Sequence, residues 1–174
     1  MFEIARRASA SKETLYAWFG DKRGLFEALI VRNARSVHAV LQHHLEGDED
    51  VERALIDFGQ ALLRLLLGDS AVAINRAAIS EARSDPSLAQ ILSSAGREAT
   101  LPIFIRYLER QRTCGTLRLE SPSQAAEDFL GLLIGDTQIR RLLDLLGSPR
   151  NAQIKIRATR AASKFLRLYA ADHR

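Results

Sequence analysis

Catalysis needs groups that converge, and the reactive side chains of this 174-residue sequence stand apart. Cys114 is the sole cysteine, which leaves no intramolecular disulfide, no redox pair and no cysteine-rich zinc site. His43 and His44 with Glu46, and His38 before them, are the nearest approach to a metal cluster. Neighbouring histidines point roughly 100° apart on a helix, and these lie near a helix end, so solvated side chains and no metal are expected. There is no His-Glu-x-x-His pair, no glycine-rich phosphate loop and no motif histidine to pair with Cys114. The sequence reads as a non-enzyme without a cofactor. Its other polar groups of interest gather near the N-terminus: Lys12, Glu13, Thr14, Tyr16, Trp18 and Lys22. Taken singly, Tyr16 and Trp18 are packing residues and Lys22 a solvated charge; taken together, they form a set of hydrogen-bond donors.

Helices must position these groups. Apolar residues recur three and four apart almost throughout, and no stretch is convincing as a strand, so the fold class expected is all-α. Residues 2–8 make a short helix burying Ile4, Ala5 and Ala8, followed by a turn, Ser9-Ala10-Ser11, whose Ser11 caps a helix from Lys12 to Phe19. Asp21 caps a long connector helix running to about Leu45, with Phe26, Ile30, Val37 and Leu41 on one stripe. After a break from Gly47 to Asp50, Val51, Leu55, Phe58, Leu62 and Leu66 mark a helix ending at Gly68, and Ala71 to Ser84 continues the pattern. Asp85-Pro86 begins another segment, in which Pro102 starts or kinks a helix carrying Phe104 and Leu108. Gly115 to Glu120 is a loop. Ser121-Pro122 opens a helix to about Leu146 and Ser148-Pro149 opens the last one, each with serine as cap and proline at the first helical position.

The net charge of +4 divides as +2 over residues 1–46, −2 over 47–120 and +4 over 121–174. That N-terminal excess suits nucleic acid but is too small to argue for it alone. The longest nearly apolar stretch, Ala54 to Leu67, is interrupted by Asp57, Gln60 and Arg64 and falls short of the roughly 20 residues of a membrane span. Arg6 and Arg7 follow too closely on Met1 for an export signal, so a soluble, cytoplasmic protein without membrane partners is expected.

Ile4-Ala5, the turn Ala8 to Ser11, Thr14-Leu15-Tyr16, Trp18-Phe19, Lys22 and Leu25-Phe26 follow one another in a spacing that closely resembles the DNA-binding signature of the TetR family of bacterial regulators. The resemblance implies a helix-turn-helix whose second helix lies across the major groove of double-stranded DNA. Lys12 and Glu13 then stand nearest the base edges. Thr14, Tyr16, Trp18 and Lys22 grip phosphates and set the register, Lys22 with help from the N–H groups of the helix it begins. Ser9 stands where the family has glycine. The family also has an amphipathic helix ahead of the Ile-Ala element, where this sequence has only Met1 to Glu3, so that first helix is expected to be absent.

Residues from about 75 to 135 resemble the C-terminal domain of the AefR-like branch, through Glu81, Asp85-Pro86, Tyr107-Leu108, Gly115-Thr116-Leu117 and Ala125-Ala126 with Phe129-Leu130-Gly131. The organisation expected is a DNA-binding segment with connector helix over 1–45, then a ligand-binding and dimerisation domain over 46–174. The family implies a homodimer through the last two helices and a small-molecule effector. Periodicity supports the first: the helix from Ser121 is apolar on two sides, with Ile134 on one, and Gly131 and Gly135 permit close approach within a chain or across a dimer. In the last helix Ile154, Ala158, Ala161, Phe165 and Leu168 are spaced as a helix–helix seam. Cavity candidates are Phe58, Leu62, Ile74, Asn75, Phe104, Tyr107, Gln111 and Phe129, most of them equally suited to the core. Asp136, set between Leu132 and Ile139, needs a partner, either Arg140 or a cationic ligand. The function expected is a ligand-responsive repressor that binds a pseudo-palindromic operator as a homodimer. The alternative is a helical dimerisation or protein-interaction module whose incomplete head no longer docks DNA.

Overall fold

The computed structural model describes residues 11–47 and 50–171, without the side chains of Lys12 and Leu15. The expected helix over 2–8, its buried Ile4, Ala5 and Ala8, and the Ser9-Ala10 turn lie outside the described residues. The chain forms helices α1 (Lys12–Phe19), α2 (Lys22–Glu46), α3 (Val51–Leu67), α4 (Asp69–Glu81) and α5 (Ser87–Leu92), then a π-helical turn over Ser93–Arg97. Helices α6 (Glu98–Thr113), α7 (Pro122–Ile134), α8 (Thr137–Leu142) and α9 (Asn151–Tyr169) complete it. Among the described residues there is no strand, only one antiparallel bridge between Leu117 and Ala170 that ties the loop after α6 to the end of α9. No helix of the described residues is long and apolar enough to cross a membrane.

Local chemistry starts the helices where the sequence indicates. The Ser11 hydroxyl accepts the Thr14 N–H at 3.0 Å, Asp21 Oδ1 that of Gly24 at 2.8 Å, and Ser121 Oγ that of Gln124 at 3.2 Å. Helix α2, with 25 residues, is about 37 Å long and buries Phe26, Ile30, Ala34, Val37 and Leu41 along one stripe. Its far half packs on α3 and α6 over the main core. There the rings of Phe58, Phe104, Phe129, Phe165 and Tyr169 run in contact, with successive centroids from 4.3 to 5.5 Å apart. Its near half packs on α4 and α5 through a second, smaller cluster: Phe26, Ile30, Ile74, Ala78 and Leu88.

The structure corrects two expectations. Helix α7 ends at Ile134 instead of continuing to Leu146, because Gly135 turns the chain at φ +50°. Arg157 from α9 satisfies the freed carbonyls, donating to Leu133 O at 2.5 Å and Ile134 O at 2.6 Å. The last helix starts at Asn151, not Pro149; Gln153 Oε1 accepts the Arg150 N–H at 2.9 Å, and Ser148 instead donates to Asp69 at 2.8 Å. Pro102 lies inside α6, where its missing N–H leaves the Glu98 carbonyl without its usual donor, next to the π-helical turn.

The seam on α9 is also placed differently. Ile154, Ala158, Ala161 and Phe165 are buried within one chain, against α3 and α7, so they do not form an interface between copies. An added Cβ on Gly59 of α3 would come within 3.3 Å of Ala158 Cβ and 3.1 Å of Leu133 Cδ1, which measures how closely the helices approach. Of the residues expected at a dimer interface, only Gly131, Gly135 and Leu168 are exposed, Leu168 at 65%. Ile134 faces a cavity described below.

Phe129 is fully buried between the rings of Phe58, Phe104 and Phe165. Phe129→Ala is expected to destabilise the chain by about 3–5 kcal/mol, read from the urea midpoint at constant m-value.

Candidate functional site

Helix α1 is presented as a short rod on the end of α2. Gly20, at φ +73°, closes it by donating its N–H to Tyr16 O at 2.8 Å, and Asp21 then caps α2. The angle between the two helices is set by Gly24. A Cβ there would stand 2.0 Å from the Phe19 carbonyl oxygen, so only glycine allows the end of α1 to rest on α2. On this rod Trp18 is 68% exposed and Tyr16 39%, Glu13 is exposed, and the Thr14 hydroxyl is bonded to Ser11 at 3.0 Å. The Lys12 side chain lies outside the described residues.

Lys22 is held by another part of the chain. Its ammonium meets both carboxylate oxygens of Glu81, the last residue of α4, at 2.5 and 2.7 Å. Beside it, Arg23 reaches Asp85 at 3.3 Å. The Ser87 backbone N–H holds the Asp85 carboxyl below its ordinary range, with Arg23 adding to the effect. Two ion pairs therefore cross from the first turn of α2, one to the end of α4 and one to the turn that follows it, over the cluster of Phe26, Ile30, Ile74, Ala78 and Leu88.

The same stripe of α4, toward its N-terminal end, lines a cavity of about 290 Å³, close to the lower bound of about 300 Å³ for ligand pockets. Ala71, Ile74 and Asn75 form one wall, Phe58 and Leu62 of α3 another, and Phe104 with Thr100 of α6 a third. The π-helical turn contributes Gly96 and Arg97. Five of the expected cavity residues line it: Phe58, Leu62, Ile74, Asn75 and Phe104. Tyr107 and Phe129 are sealed in the core instead, and buried Gln111 accepts the N–H groups of Thr116 and Leu117 at its own carbonyl. Asp136 is a correction. Because α7 stops at Gly135, it sits on an exposed turn with Arg140 3.8 Å away and does not enter the cavity. Periodicity missed Arg97, Gln138 and Thr100, since it detects apolar stripes and not polar groups that border them.

The histidines do not converge. His38 Nε2 bonds the Thr100 hydroxyl at 2.8 Å beside the cavity, and His43 is exposed. His44, expected to be solvated, is instead 4% exposed, because it follows Leu41 on the buried stripe of α2 and turns toward Asp57 at 3.8 Å. Among the described residues no three acidic, cysteine or histidine side chains are grouped to hold a metal. Arg141 is a structural centre that the sequence does not announce. Buried at 8% exposure, it bonds Leu67 O at 3.2 Å, Ser148 Oγ at 3.2 Å and the Asp69 carboxylate, joining the end of α3 to the start of α4.

Residues 53–171 match the family model of the AefR-like transcriptional repressor, C-terminal domain, and residues 1–29 match that of the bacterial regulatory proteins of the tetR family. The chain belongs to the TetR family. A TetR-family transcriptional regulator from Mesorhizobium loti has the same fold at 24% identity and a TM-score of 0.80, over 98% of this chain and 86% of that one. A TetR transcriptional regulator from Agrobacterium tumefaciens is 32% identical with a TM-score of 0.70, over 97% and 82%. The flavonoid-responsive regulator FrrA is 29% identical with a TM-score of 0.68, over 98% and 86%. No curated protein matches the chain. This TetR-family regulator thus combines an N-terminal helix-turn-helix segment with an all-helical C-terminal part, and the proteins it resembles are transcriptional regulators.

Trp18 is the sole tryptophan, so its fluorescence reports on α1 alone. Gly24→Ala is expected to shift Trp18 emission and lower its anisotropy, as α1 is pushed off α2, while the urea midpoint of the helical signal moves by less than about 1 kcal/mol.

Proposed function

We propose that this regulator is a ligand-responsive repressor, which binds a pseudo-palindromic operator as a homodimer and releases it when a small molecule enters the cavity. The observation that carries this reading is the double engagement of α4: it walls the cavity through Ala71, Ile74 and Asn75, and through Glu81 it holds Lys22, at the root of the reading head. A ligand that favours one position of α4 thereby favours one position of α1. Residues 1–45 act as reading head and connector, and residues 46–174 as sensor and dimerisation domain. The flavonoid response named for FrrA, a relative with the same fold, supports a small-molecule effector.

On DNA, the exposed Tyr16 and Trp18 and the Lys22 ammonium grip phosphates, while Lys12 and Glu13 meet the bases. Glu81 takes two of the three donors of the Lys22 ammonium and offsets its charge, so it competes with a phosphate for Lys22. An exposed ion pair of this kind is worth about 0–1 kcal/mol, whereas allosteric coupling amounts to about 1–3 kcal/mol. The pair therefore sets the direction of the response, and the apolar seam between α2 and α4 transmits most of its energy. Two copies meet through the outer faces of the last helices, supported by Ile156 at 67%, Leu143 at 61% and Leu168 at 65% exposure, with Gly131 open to close approach.

Three measurements test the reading. Light scattering at micromolar concentration is expected to give a dimer; a monomer overturns that part. In titrations of DNA from the promoter region of the protein's own gene, Lys22→Ala should weaken every sequence alike and reduce the salt slope by about 1.8, the share of one phosphate contact from each protomer. Glu81→Gln should tighten binding by up to about thirtyfold, as the removal of a competitor worth up to about 1 kcal/mol in each of two protomers implies, with a melting temperature lowered by no more than about 2–4 °C. Weaker binding by Glu81→Gln contradicts the competition, and failure of the parent protein to bind any of this DNA contradicts the repressor.

A further inference from the structure

Resting on the reading of the cavity as the effector site, we propose that its ligand is an apolar acid: a hydrocarbon or aromatic body with one carboxylate or sulfonate, gripped by Arg97. The lining contains no aspartate, glutamate, lysine or histidine, and Arg97 is its one charged residue. A cation would find no counter-charge there. Nor would it find an aromatic cage, because Phe58 and Phe104 face each other at 4.3 Å and both lie against Phe129.

Arg97 is available for the role. Its partner is Glu127 at 3.8 Å, outside hydrogen-bond reach, and both side chains are more than half exposed, at 56% and 54%. Such a pair holds a guanidinium weakly, whereas a ligand acid at the edge of an apolar cavity offers charge-assisted, bidentate bonds. The π-helical turn gives the reason Arg97 is at the cavity at all, since irregular turns of this kind place side chains where a regular helix would not. The remaining polar groups suit the uncharged end of such a molecule. Gln138 has no hydrogen bond among the described residues, and the Asn75 amide donates to Ala71 O at 2.8 Å, leaving its oxygen for a ligand hydroxyl. Among the described residues the lining thus pairs one cationic anchor with a long apolar surface, the three amides of Asn33, Asn75 and Gln138, and the Thr100 hydroxyl.

A matched pair of fluorescent probes tests this: anilinonaphthalene sulfonate, and phenylnaphthylamine, the same skeleton without the anion. The full-length chain is expected to bind the sulfonate at least about tenfold more tightly than the neutral probe. Arg97→Gln should remove that preference and leave the affinity for phenylnaphthylamine unchanged; Arg97 is exposed, and the far-ultraviolet circular dichroism should match that of the parent. Gly96→Leu, whose Cβ has 3.9 Å of clearance from Ile30 before the side chain enters the cavity, should weaken both probes. Equal affinities, or an Arg97→Gln variant that keeps the preference, overturn the acid while leaving the cavity reading intact. Insensitivity of both probes to Gly96→Leu, or failure of both to bind, overturns the cavity reading and the acid with it.

Discussion

Where α1 can stand depends on how the first two turns of α2 sit against α4. Phe26 and Ile30 lie against Ile74, Ala78 and Leu88, and at the solvent edge of this seam Glu81 takes both of its oxygens to Lys22. The apolar part supplies the energy, at roughly 25 cal/mol for each Å² removed from water, and has no preferred direction along the helix. The ion pair supplies position. Gly24 then passes that position on, because the carbonyl end of α1 rests on the space its missing side chain leaves.

The other end of α4 is anchored more firmly. Arg141 binds the last carbonyl of α3 and the Asp69 carboxylate together, and Arg76 of α4 donates to Leu142 O at 2.9 Å and meets Asp144 at 2.8 Å. The Arg76 guanidinium keeps the Asp144 carboxyl below its usual range, so this contact persists into mild acid. With its N-terminal end pinned by a buried arginine and its C-terminal end held by exposed pairs, α4 is a lever whose free end carries Glu81. The cavity lies along its first two turns, through Ala71, Ile74 and Asn75, so under the proposed function a ligand would press near the fixed end and the displacement would grow toward the reading head.

What was legible in the sequence was what is local. Ser11, Asp21 and Ser121 cap their helices through bonds that reach three residues, and the pattern of residues around them suffices to find them. The end of α7 was not legible, because the apolar period runs on through Gly135 and the donors that stabilise the break come from Arg157, more than twenty residues later. Missing that break misplaced Asp136 as well. The stripe from Ile154 to Phe165 has the spacing of a helix–helix seam, but periodicity says nothing about which surface buries it, and α3 of the same chain does. Only five of the nineteen residues lining the cavity emerged, for a similar reason: Phe58, Leu62 and Phe104 are apolar at helical spacing whether they face a core or a void, and only the assembled helices separate them from Phe129 and Tyr107.

The lever is tested most directly without any ligand, by filling the cavity from its wall. Ala71→Phe places a ring beside Ile74 and Asn75, and amide hydrogen exchange then reads each helix separately. The account predicts altered protection over residues 69–85 together with residues 12–25, and unchanged protection over 151–169. Altered protection in α4 with the reading head left as it was in the parent protein would contradict it.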